Sequence, residues 1–221
     1  MPINQDNYSE IINELKNKAT LVAVSKTKPN EDIQALYDLG QRDFGENYVQ
    51  ELVDKQTALP QDIRWHFIGH LQSNKVKYIA SFVNLIHGVD SLSLLKEINK
   101  QGLKNNRVIN CLLQIHIAKE ETKFGFSLQE LSELSELQEL KNVHIIGLMG
   151  MASFSDDLNL VAGEFASLKK AYNECVQSGK PPFDFTTLSM GMSGDYKLAI
   201  ENGSNMVRIG SLLFGERNYK Q

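Results

Sequence analysis

Thr20-Leu-Val-Ala-Val-Ser25 is an apolar run of strand length, and the overlapping heptapeptide Ala23-Val-Ser-Lys-Thr-Lys-Pro29 carries the chain from that strand into a loop headed by Lys26. A helical stripe follows, with Ile33, Leu36 and Leu39 ahead of Gly40. The same unit repeats along the chain. Further strand-like runs cover Arg42–Phe44, Arg64–Ile68, Leu85–Val89, Val108–Ile115, His144–Met149, Phe185–Met190 and Met206–Ile209. Between them lie the stripes Leu92, Leu95 and Ile98 after a capping Ser91, then Leu128, Leu131, Leu134 and Leu137, then Val161, Phe165, Leu168 and Tyr172. Strict alternation of strand and helix implies right-handed crossovers and a parallel sheet. Eight such units in 221 residues match a closed (β/α)8 TIM barrel better than an open sheet. The expected organisation is one α/β domain over residues 1–221, since no low-complexity linker interrupts the series. A helix over Tyr8–Lys18 is expected as an extra element that plugs one barrel end.

Composition removes several function classes. The net charge is 23 − 27 = −4, and no basic cluster or aromatic-basic interleaving supplies a footprint for nucleic acid. The first ten residues lack the regions of a signal peptide, and no apolar run is long enough to cross a bilayer, so a cytoplasmic protein without a membrane partner is expected. Cys111 and Cys175 have no C-x-x-C spacing and read as reduced structural thiols. No P-loop or dinucleotide glycine fingerprint is present. His66 and His70 are four apart, but the first falls in a strand and the second in a loop, so the helical spacing of metal ligands does not apply.

In such a barrel the chemistry gathers at the carboxyl ends of the strands. Lys26 lies at the end of strand one, Gly45-Glu-Asn-Tyr48 after strand two, Gly69-His-Leu-Gln-Ser-Asn-Lys75 after strand three and Ser189-Met-Gly-Met-Ser193 after strand seven. A lysine at the rim of a packed β core loses its proton more easily than one in water, and a neutral amine condenses with an aldehyde. A solvated loop lysine is the alternative. After strand eight, Arg208-Ile-Gly-Ser211 enters a short turn or helix, Leu212–Phe214, where barrels often bind phosphate. Ser193 suits an N-cap as well as a ligand, Gly210 suits a tight turn, and Arg208 suits an ion pair.

These segments carry a resemblance. Ala23-Val-Ser-Lys-Thr-Lys-Pro29, Phe44-Gly-Glu-Asn-Tyr-Val-Gln-Glu51, His66-Phe-Ile-Gly-His-Leu-Gln-Ser-Asn-Lys75, Lys123-Phe-Gly125, Gly147-Leu-Met149, Leu188-Ser-Met-Gly-Met-Ser193 and Val207-Arg-Ile-Gly210 together resemble the YggS/PROSC family of pyridoxal-phosphate-binding proteins over nearly the whole chain. The resemblance implies a barrel like the N-terminal domain of alanine racemase, with pyridoxal 5'-phosphate (PLP) held as an internal aldimine on Lys26. It implies phosphate near Ser189, Ser193, Gly210 and Ser211, Asn47 near the cofactor ring and Arg208 facing the pyridine nitrogen. Ser211 stands where many relatives carry threonine, which keeps the hydroxyl.

Guanidinium stays charged and donates without giving up its proton, so an arginine facing the ring nitrogen leaves the pyridine neutral and the cofactor a weak electron sink. Racemisation also needs a base on each face of the ring. In alanine racemases the resemblance assigns one of these to a further C-terminal domain, and none is expected after Gln221. The expected function is therefore a PLP carrier in intracellular PLP homeostasis, a monomer that buffers the aldehyde and delivers it to PLP-dependent apoenzymes, with indirect effects on amino-acid and keto-acid pools. Lys28 is a candidate for lowering the Lys26 pKa by like charge or for accepting the aldehyde second. A small racemase or decarboxylase of the same fold is the competing reading, with Tyr48, His66 and His70 as acid-base candidates. A scaffold that binds a partner protein in response to PLP is a third.

Overall fold

The structure, a computed structural model, describes residues 3–118, 124–133, 137, 139–178 and 185–215. Eight parallel strands close into a barrel in chain order: β1 (Thr20–Val24), β2 (Asp43–Glu46), β3 (Arg64–Phe67), β4 (Leu85–Val89), β5 (Ile109–Gln114), β6 (Val143–Met149), β7 (Thr187–Met192) and β8 (Met206–Ile209). The ring is completed by β8 pairing with β1, with Val22 opposite Arg208. Around it lie α2 (Asn30–Asp38), α3 (Val49–Ala58), α4 (Val76–Ile79), α5 (Leu92–Lys104), α6 (Leu128–Glu133), α7 (Leu158–Ser178), α8 (Tyr196–Glu201) and α9 (Ser211–Phe214), with α1 (Gln5–Leu15) preceding the first strand.

Most elements fall where their apolar patterning predicts, and the departures have local causes. β2 extends to Glu46 because Gly45 and Glu46 pair with His66 and Phe67, so that pairing overrides two poor strand formers. Leu39 is 44% exposed because α2 ends at Asp38 and the stripe stops with it. Leu128 is equally exposed at the first position of α6, whereas Leu131 and Leu137 are buried; Leu134 lies outside the described residues. Ser91 caps α5, its hydroxyl accepting from the Leu94 amide.

Alternation along the strands separates two apolar layers. Val22, Leu85, Leu112, Met149 and Met206 form the small cluster inside the barrel. The larger layer lies between strands and helices and includes Phe44, Phe67, Ile86, Phe165 and Leu188. Polar residues share the barrel interior, among them Asp43, His66, His87, Ser189 and Arg208, all buried.

The expectation that the first helix plugs a barrel end is corrected. Tyr8, Ile11 and Leu15 of α1 pack into the outer layer, not into the interior cluster. The Asn4 amide donates to the Leu213 carbonyl, Asn7 Nδ2 to the Leu212 carbonyl, and Glu14 accepts from Tyr196 and Lys197 of α8. Among the described residues α9 is one turn long, and α1 packs against it and covers the wall beside β8 and β1. Its bounds also differ: Asn4 caps it, and Asn17 in the left-handed region follows its end. No helix among the described residues is long and apolar enough to cross a membrane. Burial pushes the Cys111 and Cys175 thiols above the usual range.

Candidate functional site

Lys26 sits half-buried in the turn that leaves β1. That turn is anchored on both sides of the lysine. Ser25 Oγ donates to Glu46 Oε1 at 2.6 Å, and the Ser25 carbonyl accepts from Lys55 Nζ at 2.8 Å. On the other side the Thr27 amide donates to Glu51 Oε1 at 2.6 Å. Lys55 joins the two carboxylates, 2.8 Å from Glu46 and 2.6 Å from Glu51, in a buried ionic cluster behind the strand. Thr27 adopts a φ of 64°, a conformation costly for a β-branched residue and held here by these anchors. Burial, opposed by Lys55, raises the Glu46 carboxyl above its ordinary range.

Arg208 lies on β8, the strand beside β1, and is 4% exposed. Its Nη1 donates to Ser189 Oγ at 2.6 Å and its Nη2 to the Gly150 carbonyl at 3.0 Å. Burial lowers its pKa to about 10 against the opposing pull of Asp195, which leaves it protonated at neutral pH. Ser189 is fully buried and also lies 3.2 Å from His87 Nδ1. The hydroxyl expected beside a phosphate thus stands behind the arginine. Ser193 is carried to the mouth by a register shift in β7, where Gly191 takes a φ of 95° and a Cβ would meet Ala199 Cβ at 2.6 Å. Ser193 Oγ accepts from the Gly210 amide at 3.2 Å.

One cavity of about 430 Å³ gathers Lys26, Lys28, Asn47, Ser193, Arg208, Gly210 and Ser211, a size suited to a small organic ligand. Its Asn47 Oδ1 is buried without a hydrogen-bond partner among the described residues. The Asn47 backbone is approached so closely that a Cβ on Gly69 would lie 2.5 Å from the Asn47 carbonyl oxygen. Two larger clefts, about 620 and 540 Å³, lie along the helices of the outer ring, and neither is lined by Lys26 or Arg208. Lys28 Nζ reaches the Phe214 carbonyl at 2.8 Å and the Gly215 carbonyl at 3.3 Å.

The acid-base candidates do not converge here. His66 is buried in the barrel interior, His70 is exposed beside Asp90 and stacked on Phe124, and Tyr48 is 60% exposed. None of them lines the cavity. Lys123 lies outside the described residues. Sequence reasoning missed the Glu46, Lys55 and Glu51 cluster and the interior role of His87. The spacing of Glu51 and Lys55 by four on a helix and the period of two from Leu85 to His87 were the available signals.

An amine, a buried guanidinium, two hydroxyls and an unpartnered amide oxygen around one cavity at the strand ends define a ligand-binding (β/α)8 barrel with a lysine at its mouth. The family described as alanine racemase, N-terminal domain, matches residues 4–218. The chain is 42% identical over 216 residues to the pyridoxal phosphate homeostasis protein of Synechocystis sp., covering 95% of this chain and 97% of that one. It is 43% identical over 206 residues to the protein of the same name from Aquifex aeolicus, covering 92% and 90%. The solved structure of PipY from Synechococcus elongatus with PLP bound is similar at a TM-score of 0.86 and 35% identity, covering 95% of this chain and 99% of PipY. The chain therefore belongs to the alanine racemase N-terminal domain family, in its pyridoxal phosphate homeostasis branch.

Proposed function

We propose that this protein binds PLP through Lys26 and serves PLP homeostasis, holding the cofactor and releasing it to PLP-dependent apoenzymes. The observation that carries the reading is the single cavity shared by Lys26 and Arg208, with the buried, unpartnered Asn47 Oδ1 on its wall. When bound, PLP supplies an aldehyde that exchanges reversibly between amines. Lys26 provides the attaching amine from an anchored turn. Arg208 keeps its proton and would hold the ring nitrogen as a donor without protonating it. Ser193, Gly210 and Ser211 would hold the phosphate, and Asn47 would serve the ring. Ser189 acts from behind Arg208.

The homeostasis names of the relatives support a regulatory role, and we assign no catalytic turnover to the chain. The cavity lining contains no tyrosine or histidine among the described residues, which favours the carrier over a racemase or decarboxylase. A cytoplasmic monomer acting as one barrel domain completes the proposal. Lys26→Ala tests it. Native protein loaded with PLP is expected to show a near-visible band that borohydride converts to a stable adduct, and the variant neither. A native protein without the band sinks the proposal. Turnover of L- or D-amino acids by the loaded protein would overturn the carrier reading, and reactivation of an apoenzyme by it would support that reading.

A further inference from the structure

We propose that Asp43, His66, His87 and Ser189 form a one-directional hydrogen-bond chain through the barrel that positions Arg208 from the opposite end. The proposal rests on the reading above in assigning Arg208 to the cofactor. Its links are short and buried. Arg208 Nη1 lies 2.6 Å from Ser189 Oγ, and Ser189 Oγ 3.2 Å from His87 Nδ1. His87 Nε2 lies 2.9 Å from His66 Nδ1, and His66 Nε2 3.0 Å from Asp43 Oδ1. Arg64 closes the far end, with Nε 2.7 Å and Nη2 2.5 Å from the two Asp43 oxygens. Asp43 and Arg64 open β2 and β3, and the Arg64 side chain is 52% exposed there, whereas Arg208 lines the cavity at the other end.

The two ends dictate every proton between them. Arginine only donates and a carboxylate only accepts. Ser189 Oγ therefore accepts from Arg208, and His87 Nδ1 is the acceptor in reach of its own proton among the described residues, which sets that link as Ser189 donating to His87. His87 must then carry its proton on Nε2 and donate to His66 Nδ1, and His66 must donate from Nε2 to Asp43. Both imidazoles are neutral, and each link has one donor and one acceptor. A second proton on His66 would turn both of its nitrogens into donors and reverse His87. The His87 Nδ1 proton would then take the second lone pair of Ser189 Oγ, and the Ser189 proton would be left with no acceptor among the described residues. Asp43, Arg64 and Arg208 are the charged groups bonded to this chain, and they enter from β2, β3 and β8. The low dielectric of the interior makes such a broken link costly. The guanidinium has only Ser189 and Gly150 as described partners, so its aim depends on the chain.

The test begins with imidazole ¹⁵N NMR of the full chain without cofactor, His66→Gln and His87→Gln serving for assignment. Both rings are expected as neutral Nε2–H tautomers at neutral pH. An Nδ1–H tautomer or a charged ring at either position overturns the chain. His66→Phe keeps an aromatic ring but can neither accept from His87 nor donate to Asp43. It is expected to turn His87 into a tautomer mixture and to weaken PLP retention in a spectral titration roughly tenfold, the scale of one lost hydrogen bond. His66→Gln keeps an acceptor and a donor and is expected to restore retention. Unchanged retention in a folded His66→Phe protein sinks the positioning role while leaving the carrier reading intact. Failure of the carrier reading shows separately, as a native protein with no lysine-linked band. If His66→Phe does not fold, the native tautomers decide.

Discussion

On one side of the cavity, Lys26 is placed through its neighbours: Ser25 and Thr27 are tied to an ionic cluster of Glu46, Lys55 and Glu51 that lies outside the barrel wall. On the other side, Arg208 is gripped by its own head group, through a side-chain sequence running down the barrel interior. On the function proposed above, the contrast suits two jobs: an amine meant to exchange partners needs its backbone anchored, and a permanent cation meant to aim one hydrogen bond needs its guanidinium plane set. It follows that the lysine side should answer to removal of buried charge, and the arginine side to proton arrangement.

The largest effect should come from breaking the ionic anchor. Lys55→Met leaves two carboxylates without their shared cation, and Glu46 Oε2 already lacks a partner among the described residues. Removing one partner of a buried pair costs about 3–5 kcal/mol, to be read in urea unfolding. The ¹⁵N signals of His66 and His87 should not move, because the interior chain shares no link with Lys55. A loss below about 1 kcal/mol would show that the cluster is better solvated than its burial implies.

Acid titration should separate the two sides next. Asp43 is penalised by burial, yet its bonds to Arg64 and His66 outweigh that and hold it at about 2, below an ordinary 3.8. A carboxylate depressed on folding gives stability that is complete above its unfolded pKa and lost as pH falls through the folded one. About 2 kcal/mol should therefore disappear between pH of roughly 4 and 2. Glu46 runs the other way: burial raises it, so its contribution worsens as pH rises through its folded pKa. Asp43→Asn should flatten the acid limb, and Glu46→Gln should leave that limb in place. Equal acid slopes in native and Asp43→Asn protein would remove Asp43 from the account.

The barrel was legible because its strands are apolar runs whose spacing leaves room for one helix each, and those patterns survive tertiary packing. That Lys26, Asn47 and Arg208 come together around one cavity was legible through strand ends and motif resemblance. The position of Ser189 behind Arg208, off the cavity lining, was not legible, for a physical reason. Its place in the motif next to Ser193 suggested a shared role, but the register shift at Gly191 separates the two, one hydroxyl staying inside the barrel and the other reaching the mouth. His66 and His87 are twenty-one residues apart, and only β3 beside β4 brings their rings to a 2.9 Å contact. The role of α1 was hidden similarly, because its place against α9 is a property of packing rather than of local pattern.

The smallest expected effect concerns the second lysine of the same turn. Lys28 lines the cavity but its amine is engaged by the Phe214 and Gly215 carbonyls, at the end of the short helix whose first residue is Ser211. Lys28→Met should therefore leave covalent capture on Lys26 intact, while loosening α9 enough to lower PLP retention about twofold and stability by about 1 kcal/mol, the value of one hydrogen bond. Borohydride labelling and denaturant unfolding read the two parts separately. Loss of labelling as complete as in Lys26→Ala would mean that Lys28 shares the aldehyde, and the engagement with α9 would then have to be broken during function. Unchanged retention and unchanged stability together would mean that α9 holds its place through Leu213 and Phe214, both buried in the outer layer, and that Lys28 contributes neither charge nor anchorage to the site.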